Sequence, residues 1–184
     1  MQIMRIVGGK YRHRIIIYPD DASHTRPTKD RVREAIFSAL GDISDSRVLD
    51  LYAGSGAMGI EALSRGASCC TFVDISPIAI KVIKENIANL KIADNEYEII
   101  KNKDVNALEY LKQKGDKFDL IILDPPYEEG QYEMIVDKLN NDGLLSETAI
   151  IVMEANRPIK LENIDYQRNK EYHYGEIMVF IYWR

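Results

Sequence analysis

An apolar segment that runs directly into glycines, Arg47-Val48-Leu49-Asp50-Leu51-Tyr52 followed by Ala53-Gly54-Ser55-Gly56-Ala57-Met58-Gly59, constrains this chain more than any other stretch. The first part has the length and composition of a strand. Ile60-Glu61-Ala62-Leu63-Ser64-Arg65 then repeats its apolar residues at helical spacing and stops at Gly66. Strand, glycine turn and helix in that order open a parallel α/β sheet, where ligands collect at the carboxyl ends of the strands.

Gly54, Gly56 and Gly59 also fit the dinucleotide fingerprint G-x-G-x-x-G. Asp74 ends the next strand, Cys69-Cys70-Thr71-Phe72-Val73, where an acid would accept ribose hydroxyls. NAD is therefore one candidate ligand. Asp50 argues against it, because this carboxylate just before the turn lies beside the place a pyrophosphate must rest. S-adenosylmethionine has no phosphate, and its sulfonium and ammonium are attracted to an acid.

A second motif, Asp124-Pro125-Pro126-Tyr127, closes the apolar run Phe118-Asp119-Leu120-Ile121-Ile122-Leu123. Consecutive prolines can neither continue a strand ladder nor start an ordinary helical turn, so the chain leaves a buried strand in a preset direction. This suits chemistry on a planar exocyclic amino group, whose lone pair is delocalised into its ring. Asp124 and a fixed backbone carbonyl would accept the two N–H bonds while Tyr127 stacks on the ring.

Val48-Leu49-Asp50-Leu51-Tyr52-Ala53-Gly54-Ser55-Gly56, Phe72-Val73-Asp74 and Leu123-Asp124-Pro125-Pro126-Tyr127 together resemble a class I S-adenosylmethionine-dependent methyltransferase acting on an amino group. More narrowly, Arg5-Ile6-Val7-Gly8-Gly9-Lys10-Tyr11-Arg12 and Thr25-Arg26-Pro27-Thr28-Lys29-Asp30-Arg31-Val32-Arg33-Glu34 are similar to the bacterial 16S rRNA guanine-N2 methyltransferase D family. The likeness covers essentially the whole chain. It implies methylation of a guanine N2 amino group in 16S rRNA, with S-adenosyl-L-methionine as cofactor and the rRNA or the small ribosomal subunit as partner. By the same resemblance, Asp50, Gly54, Ser55 and Gly56 surround the methionine part. Asp74 takes the ribose, with Ile75 in the same cofactor-binding set, and Asp104 with the Val105 backbone meets the adenine. Asp124 and the Pro125 carbonyl hold the guanine amino group, in a turn stiffened by Pro126, and Tyr127 stacks on the base. Methyl transfer is then in line and needs no metal.

The formal charge of −5 hides an asymmetry. Residues 1–33 hold eight Lys or Arg against three acids, whereas the other 151 residues hold 16 basic and 26 acidic side chains. A basic arm on an acidic body attracts phosphates, although a solvated polar hairpin would carry the same charges. With the methyltransferase motifs present, Lys10, Arg12, Arg14, Arg26 and Arg33 become candidate RNA contacts.

At 184 residues the chain has room for one catalytic domain, expected as a basic hairpin extension over 1–27 and a core over 28–184, acting as a monomer. No apolar run of spanning length and no charged-then-apolar leader is present, which points to a soluble cytoplasmic protein. Cys69 and Cys70 face opposite ways on one strand, suit neither zinc nor an ordinary disulfide, and are expected as small core residues. His13, His24 and His173 are too scattered for a metal site or a triad.

Met4–Val7 and Arg12–Tyr18 predict a β-hairpin ended by Pro19. Thr28 is expected to cap a helix that buries Val32, Ala35, Ile36, Ala39 and Leu40 and stops at Gly41. Pro77 opens a helix to about Leu90, with Ile78, Ile80, Val82, Ile83 and Ile87 available for burial. Tyr97–Lys101, Phe118–Leu123 and Ala149–Glu154 read as strands, and Asn106–Gln113 and Glu133–Leu139 as helices. Lys170–His173 and Ile177–Trp183 form a final antiparallel pair, and Arg157 to Lys170 reads as surface connection. The fold class is α/β, a Rossmann-like, mostly parallel sheet with helices on both faces. Asp50, Asp74, Asp104 and Asp124 line one edge. Three other readings stay open: an adenine-N6 methyltransferase acting on DNA or RNA, an NAD-dependent oxidoreductase, and a non-catalytic RNA-binding module. Aspartate rather than asparagine at 124 leans towards guanine N2.

Overall fold

The computed structural model describes residues 2–18, 30–125 and 131–184. Two strands, β1 (Gln2–Arg5) and β2 (Ile15–Tyr18), pair antiparallel, and the helix α1 (Asp30–Leu40) follows. Strands and helices then alternate as β3 (Arg47–Leu51), α2 (Ala57–Ser64), β4 (Cys69–Asp74), α3 (Pro77–Leu90), β5 (Tyr97–Lys101), α4 (Asp104–Lys114), β6 (Phe118–Leu123), α5 (Gln131–Asn141) and β7 (Leu145–Ala155). The chain closes with β8 (Arg168–Tyr174) and β9 (Ile177–Trp183). Seven strands make one sheet in the order β5-β4-β3-β6-β7-β9-β8, parallel from β5 to β7 and antiparallel at β9 and β8.

The strands are apolar on both sides because both sides are covered. Val48, Leu120, Ile122 and Val152 pack with α1, α2, α3 and the hairpin residues Met4, Ile6 and Ile16. Their neighbours Leu49, Leu51, Ile121, Leu123 and Met153 turn the other way, onto α4 and α5. Ser76 caps α3, its hydroxyl accepting from the Ala79 N–H, with Pro77 at the first helical position.

Several expectations need correction. In α1 the buried positions are Val32, Arg33, Ile36, Phe37 and Leu40, and Ala35 and Ala39 are only half-buried. Ile78 is 53 % exposed, since it falls on the solvent side of α3. Cys70 is buried, but Cys69, at the start of its strand, is half-exposed. The supposedly superficial connection after Arg157 sends Ile159, Leu161 and Ile164 into the layer with α4 and α5. The hairpin loop contains a short 3-10 turn, Gly9–Tyr11, so Arg12 and Arg14 precede β2 instead of lying in it. Thr28, proposed as a cap, lies outside the described residues.

Candidate active site

The strand order β5-β4-β3-β6 brings Asp104, Asp74, Asp50 and Asp124 to consecutive positions across the carboxyl edge of the sheet. Asp50 is the most enclosed, at 3 % exposure, and its Oδ2 accepts the Gly59 N–H at 2.8 Å. Burial pushes its carboxyl up to about 7, against the pull of that N–H and with a further push from Asp74. Gly59 makes the contact possible, for a side chain there would press to 2.4 Å from Phe72 and 2.5 Å from Cys70 Sγ.

Asp74 fixes the glycine turn. Its Oδ2 accepts the Gly54 N–H at 2.8 Å and its Oδ1 the Ser76 N–H at 2.8 Å. Gly54 itself is left-handed at φ +55 and faces open space. Half-buried Ser55 and buried Gly56 complete the turn. Beside it, Ile75 and Val105 are 58 % and 44 % exposed, an apolar lining next to the acids.

Tyr52, immediately after β3, is a non-glycine residue at φ +75, a conformation that costs about 1–3 kcal/mol. Its hydroxyl donates to Asp104 Oδ2 at 2.5 Å, while Asp104 Oδ1 accepts the Val105 N–H at 2.7 Å. Burial and the Asp104 carboxylate hold the Tyr52 phenol in its protonated, donating form. Sequence reasoning missed this strained latch between the glycine turn and α4.

Asp124 is half-buried and Pro125 buried at the end of β6. The Asp124 carboxyl is raised well above its ordinary range, first by burial, then by Glu154 and Asp50. Glu154, 5 % exposed, was read only as the last residue of a strand, though its place after an apolar run is the same signal that marked Asp124. Pro126 and Tyr127 lie outside the described residues, as does Arg26.

The candidate RNA contacts separate. Lys10 pairs with Glu96 at 2.5 Å, Arg14 donates to the Asn89 carbonyl at 3.2 Å, and all three of Lys10, Arg12 and Arg14 remain exposed. Arg33 does not belong with them. Its side chain is 1 % exposed and reaches Asp30, Glu61 and the Arg5 carbonyl, because a buried guanidinium needs acceptors on several sides. Glu61 in turn accepts the N–H groups of Val7 and Gly8 at 2.9 and 2.8 Å. Asn86, 1 % exposed, exchanges two hydrogen bonds of 2.8 Å with Ile17 and donates to the Ser55 carbonyl at 3.0 Å. One amide thus ties the hairpin to the glycine turn. Among the described residues no cluster of His, Cys, Asp and Glu could hold a metal ion, and no helix is long and apolar enough to cross a membrane.

The family model described as Conserved hypothetical protein 95 matches residues 4–183. Ribosomal RNA small subunit methyltransferase D of Escherichia coli (strain K12) is 38 % identical over 153 residues, 83 % of this chain and 74 % of the relative. YlbH of Bacillus subtilis (strain 168) is 36 % identical over 182 residues, 97 % of this chain and 98 % of the relative. Among solved structures, yhhF from Escherichia coli superposes with a TM-score of 0.86 at 32 % identity, covering 100 % of this chain and 98 % of that one.

Proposed function

The chain belongs to the Conserved hypothetical protein 95 family, that of the ribosomal RNA small subunit methyltransferases D, and from this membership we propose that it methylates the N2 amino group of a guanine in 16S rRNA. S-adenosyl-L-methionine, when bound, supplies the methyl group as an electrophile.

The described residues fit that cofactor. Asp50 offers a buried carboxyl next to a glycine turn, which favours a sulfonium or ammonium and disfavours the pyrophosphate of NAD. Asp74 presents a carboxylate whose orientation is set by two backbone N–H groups, ready to accept ribose hydroxyls. Ile75 and Val105 offer an apolar lining for adenine, and Tyr52 keeps Asp104 at its rim.

The observation that carries the reading is the position of Asp124, at the carboxyl end of β6 and flanked across the sheet by Asp50. A carboxylate there, with the Pro125 carbonyl, accepts both amino N–H bonds and turns the nitrogen lone pair out of conjugation with the ring. The work is positioning and charge stabilisation. Tyr127 follows closely in sequence and would stack on the base.

The test is transfer of a labelled methyl group to small ribosomal subunits or 16S rRNA, followed by mass spectrometry of the nucleosides. N2-methylguanosine is expected, and N6-methyladenosine in its place would overturn the choice of base. Asp124→Ala should lower the single-turnover rate by more than tenfold while cofactor affinity stays within about threefold, because its partner is the amino group.

A further inference from the structure

Tyr52 and Asp104 stand on strand ends that are not neighbours. Tyr52 follows β3 and Asp104 follows β5, with β4 between them, so the Tyr52 side chain crosses roughly 10 Å of sheet edge to bring its hydroxyl to Asp104 Oδ2. The backbone is bent to allow it. Tyr52 sits at φ +75, where a glycine is at ease and a tyrosine is not, and the N–H groups of Tyr52 and Ala53 both donate to the Val73 carbonyl, at 3.0 and 2.9 Å, which pins the turn. What the chain gains there over a glycine is a phenol that reaches one carboxylate.

Asp104 is the first residue of α4, where a carboxylate is drawn back onto the N–H groups of its own helix. Its Oδ1 accepts the Val105 N–H at 2.7 Å, while Oδ2 goes to Tyr52 instead. Held at both oxygens, the carboxylate has a fixed plane, and each oxygen keeps a lone pair for a ligand. Exposed Ile75, just past β4, and exposed Val105 supply apolar surface for a flat ring beside it.

We propose that Tyr52 is a positioning residue that sets the preference of the cofactor site for adenine, its hydroxyl holding the Asp104 carboxylate where it accepts an N–H of the exocyclic amino group. The inference rests on the S-adenosylmethionine reading, with Asp104 as the adenine contact. An ionised carboxylate accepts and cannot donate. It therefore favours a purine with an amino group at that edge and repels one with a carbonyl oxygen, whose lone pairs would face its own. This selection depends on the direction of the carboxylate. Without the Tyr52 hydroxyl, Oδ2 is free to turn onto the first turn of α4, and the acceptor presented to adenine is lost.

The experiment is calorimetry with S-adenosylhomocysteine and with S-inosylhomocysteine, which carries oxygen in place of the adenine amino group, on wild type, Tyr52→Phe and Asp104→Ala. Wild type should favour the adenine ligand by about ten- to a hundredfold, the range of one charge-assisted hydrogen bond. Phenylalanine keeps the ring and removes only the hydroxyl. Tyr52→Phe should cut the preference by about fivefold or more, chiefly by weakening S-adenosylhomocysteine, and Asp104→Ala should abolish it. Equal losses for both ligands in Tyr52→Phe would overturn the proposal, because a merely structural tether supports the turn for both alike. If Tyr52→Phe does not fold, NMR of wild type carrying a carbon label at the tyrosine ζ position decides. Saturating S-adenosylhomocysteine should then move the Tyr52 signal more than saturating S-inosylhomocysteine does, since adenine draws on the same carboxylate, and equal shifts overturn the proposal. Preference lost in Asp104→Ala but kept in Tyr52→Phe would sink this inference alone. A wild type that binds neither ligand would instead sink the cofactor reading, and this inference with it.

Discussion

Arg33 and Glu61 meet inside the protein, Nε 3.4 Å from Oε2, with side chains only 1 % and 0 % exposed. The pair joins α1 to α2, and Glu61 also carries Arg65 and the backbone of Val7 and Gly8. Removing one member of a buried ion pair leaves the other charge enclosed, at a cost of about 3–5 kcal/mol. Arg33→Ala should therefore shift the urea midpoint strongly downwards while the folded protein keeps the wild-type salt dependence of RNA binding. Unchanged stability with weakened RNA binding would return Arg33 to the RNA face.

Asp74→Ala should weaken S-adenosylmethionine by about ten- to a hundredfold, since a charge-assisted hydrogen bond contributes roughly 1.5–3 kcal/mol. The substitution also releases the N–H groups of Gly54 and Ser76, so the turn loses its anchor. Calorimetry with S-adenosylhomocysteine measures the change. Equal affinity in a folded variant would exclude Asp74 from the cofactor site.

Asp50 makes stability and binding respond to pH in opposite senses. Its folded-state value of about 7 lies above the unfolded value of about 3.9, so between them the folded state binds more protons. The ligand-free protein should therefore lose stability as pH rises from about 4 to about 7, and Asp50→Asn should flatten that slope. Affinity for the cationic cofactor should fall as pH drops below about 7, where Asp50 becomes neutral. Melting curves and calorimetry across this range test both; the raised Asp124 carboxyl should keep part of the slope, and a slope unchanged by Asp50→Asn would exclude Asp50 as a source.

Neutralising Lys10, Arg12 and Arg14 together should weaken RNA binding and leave cofactor binding intact. Each lost phosphate contact should reduce the slope of log affinity against log salt by roughly 0.7–0.9. Lys10 is already paired with Glu96, so its share should be smaller than that of Arg12. Identical salt slopes for wild type and triple variant would show that this loop does not touch phosphates.

The sequence by itself determined the local units and their chemistry. The run from Val48 to Gly59 could only be strand, turn and helix, and Pro125 ends β6 because it has no N–H for the ladder. Each acid after an apolar run marked a strand's carboxyl end. Tertiary structure decided the rest, because neither burial nor partner is a local property. Arg33, read from its neighbours as part of a basic arm, is drawn inwards by Glu61, and Asn86 becomes a clamp only where β2 crosses α3 beside the glycine turn. Tyr52 accepts a left-handed backbone within reach of Asp104 across the sheet edge. The parallel docking of β7 on β6, down to the pair Leu123 and Met153, brings Glu154 to the same sheet edge, a register that depends on residues far apart along the chain.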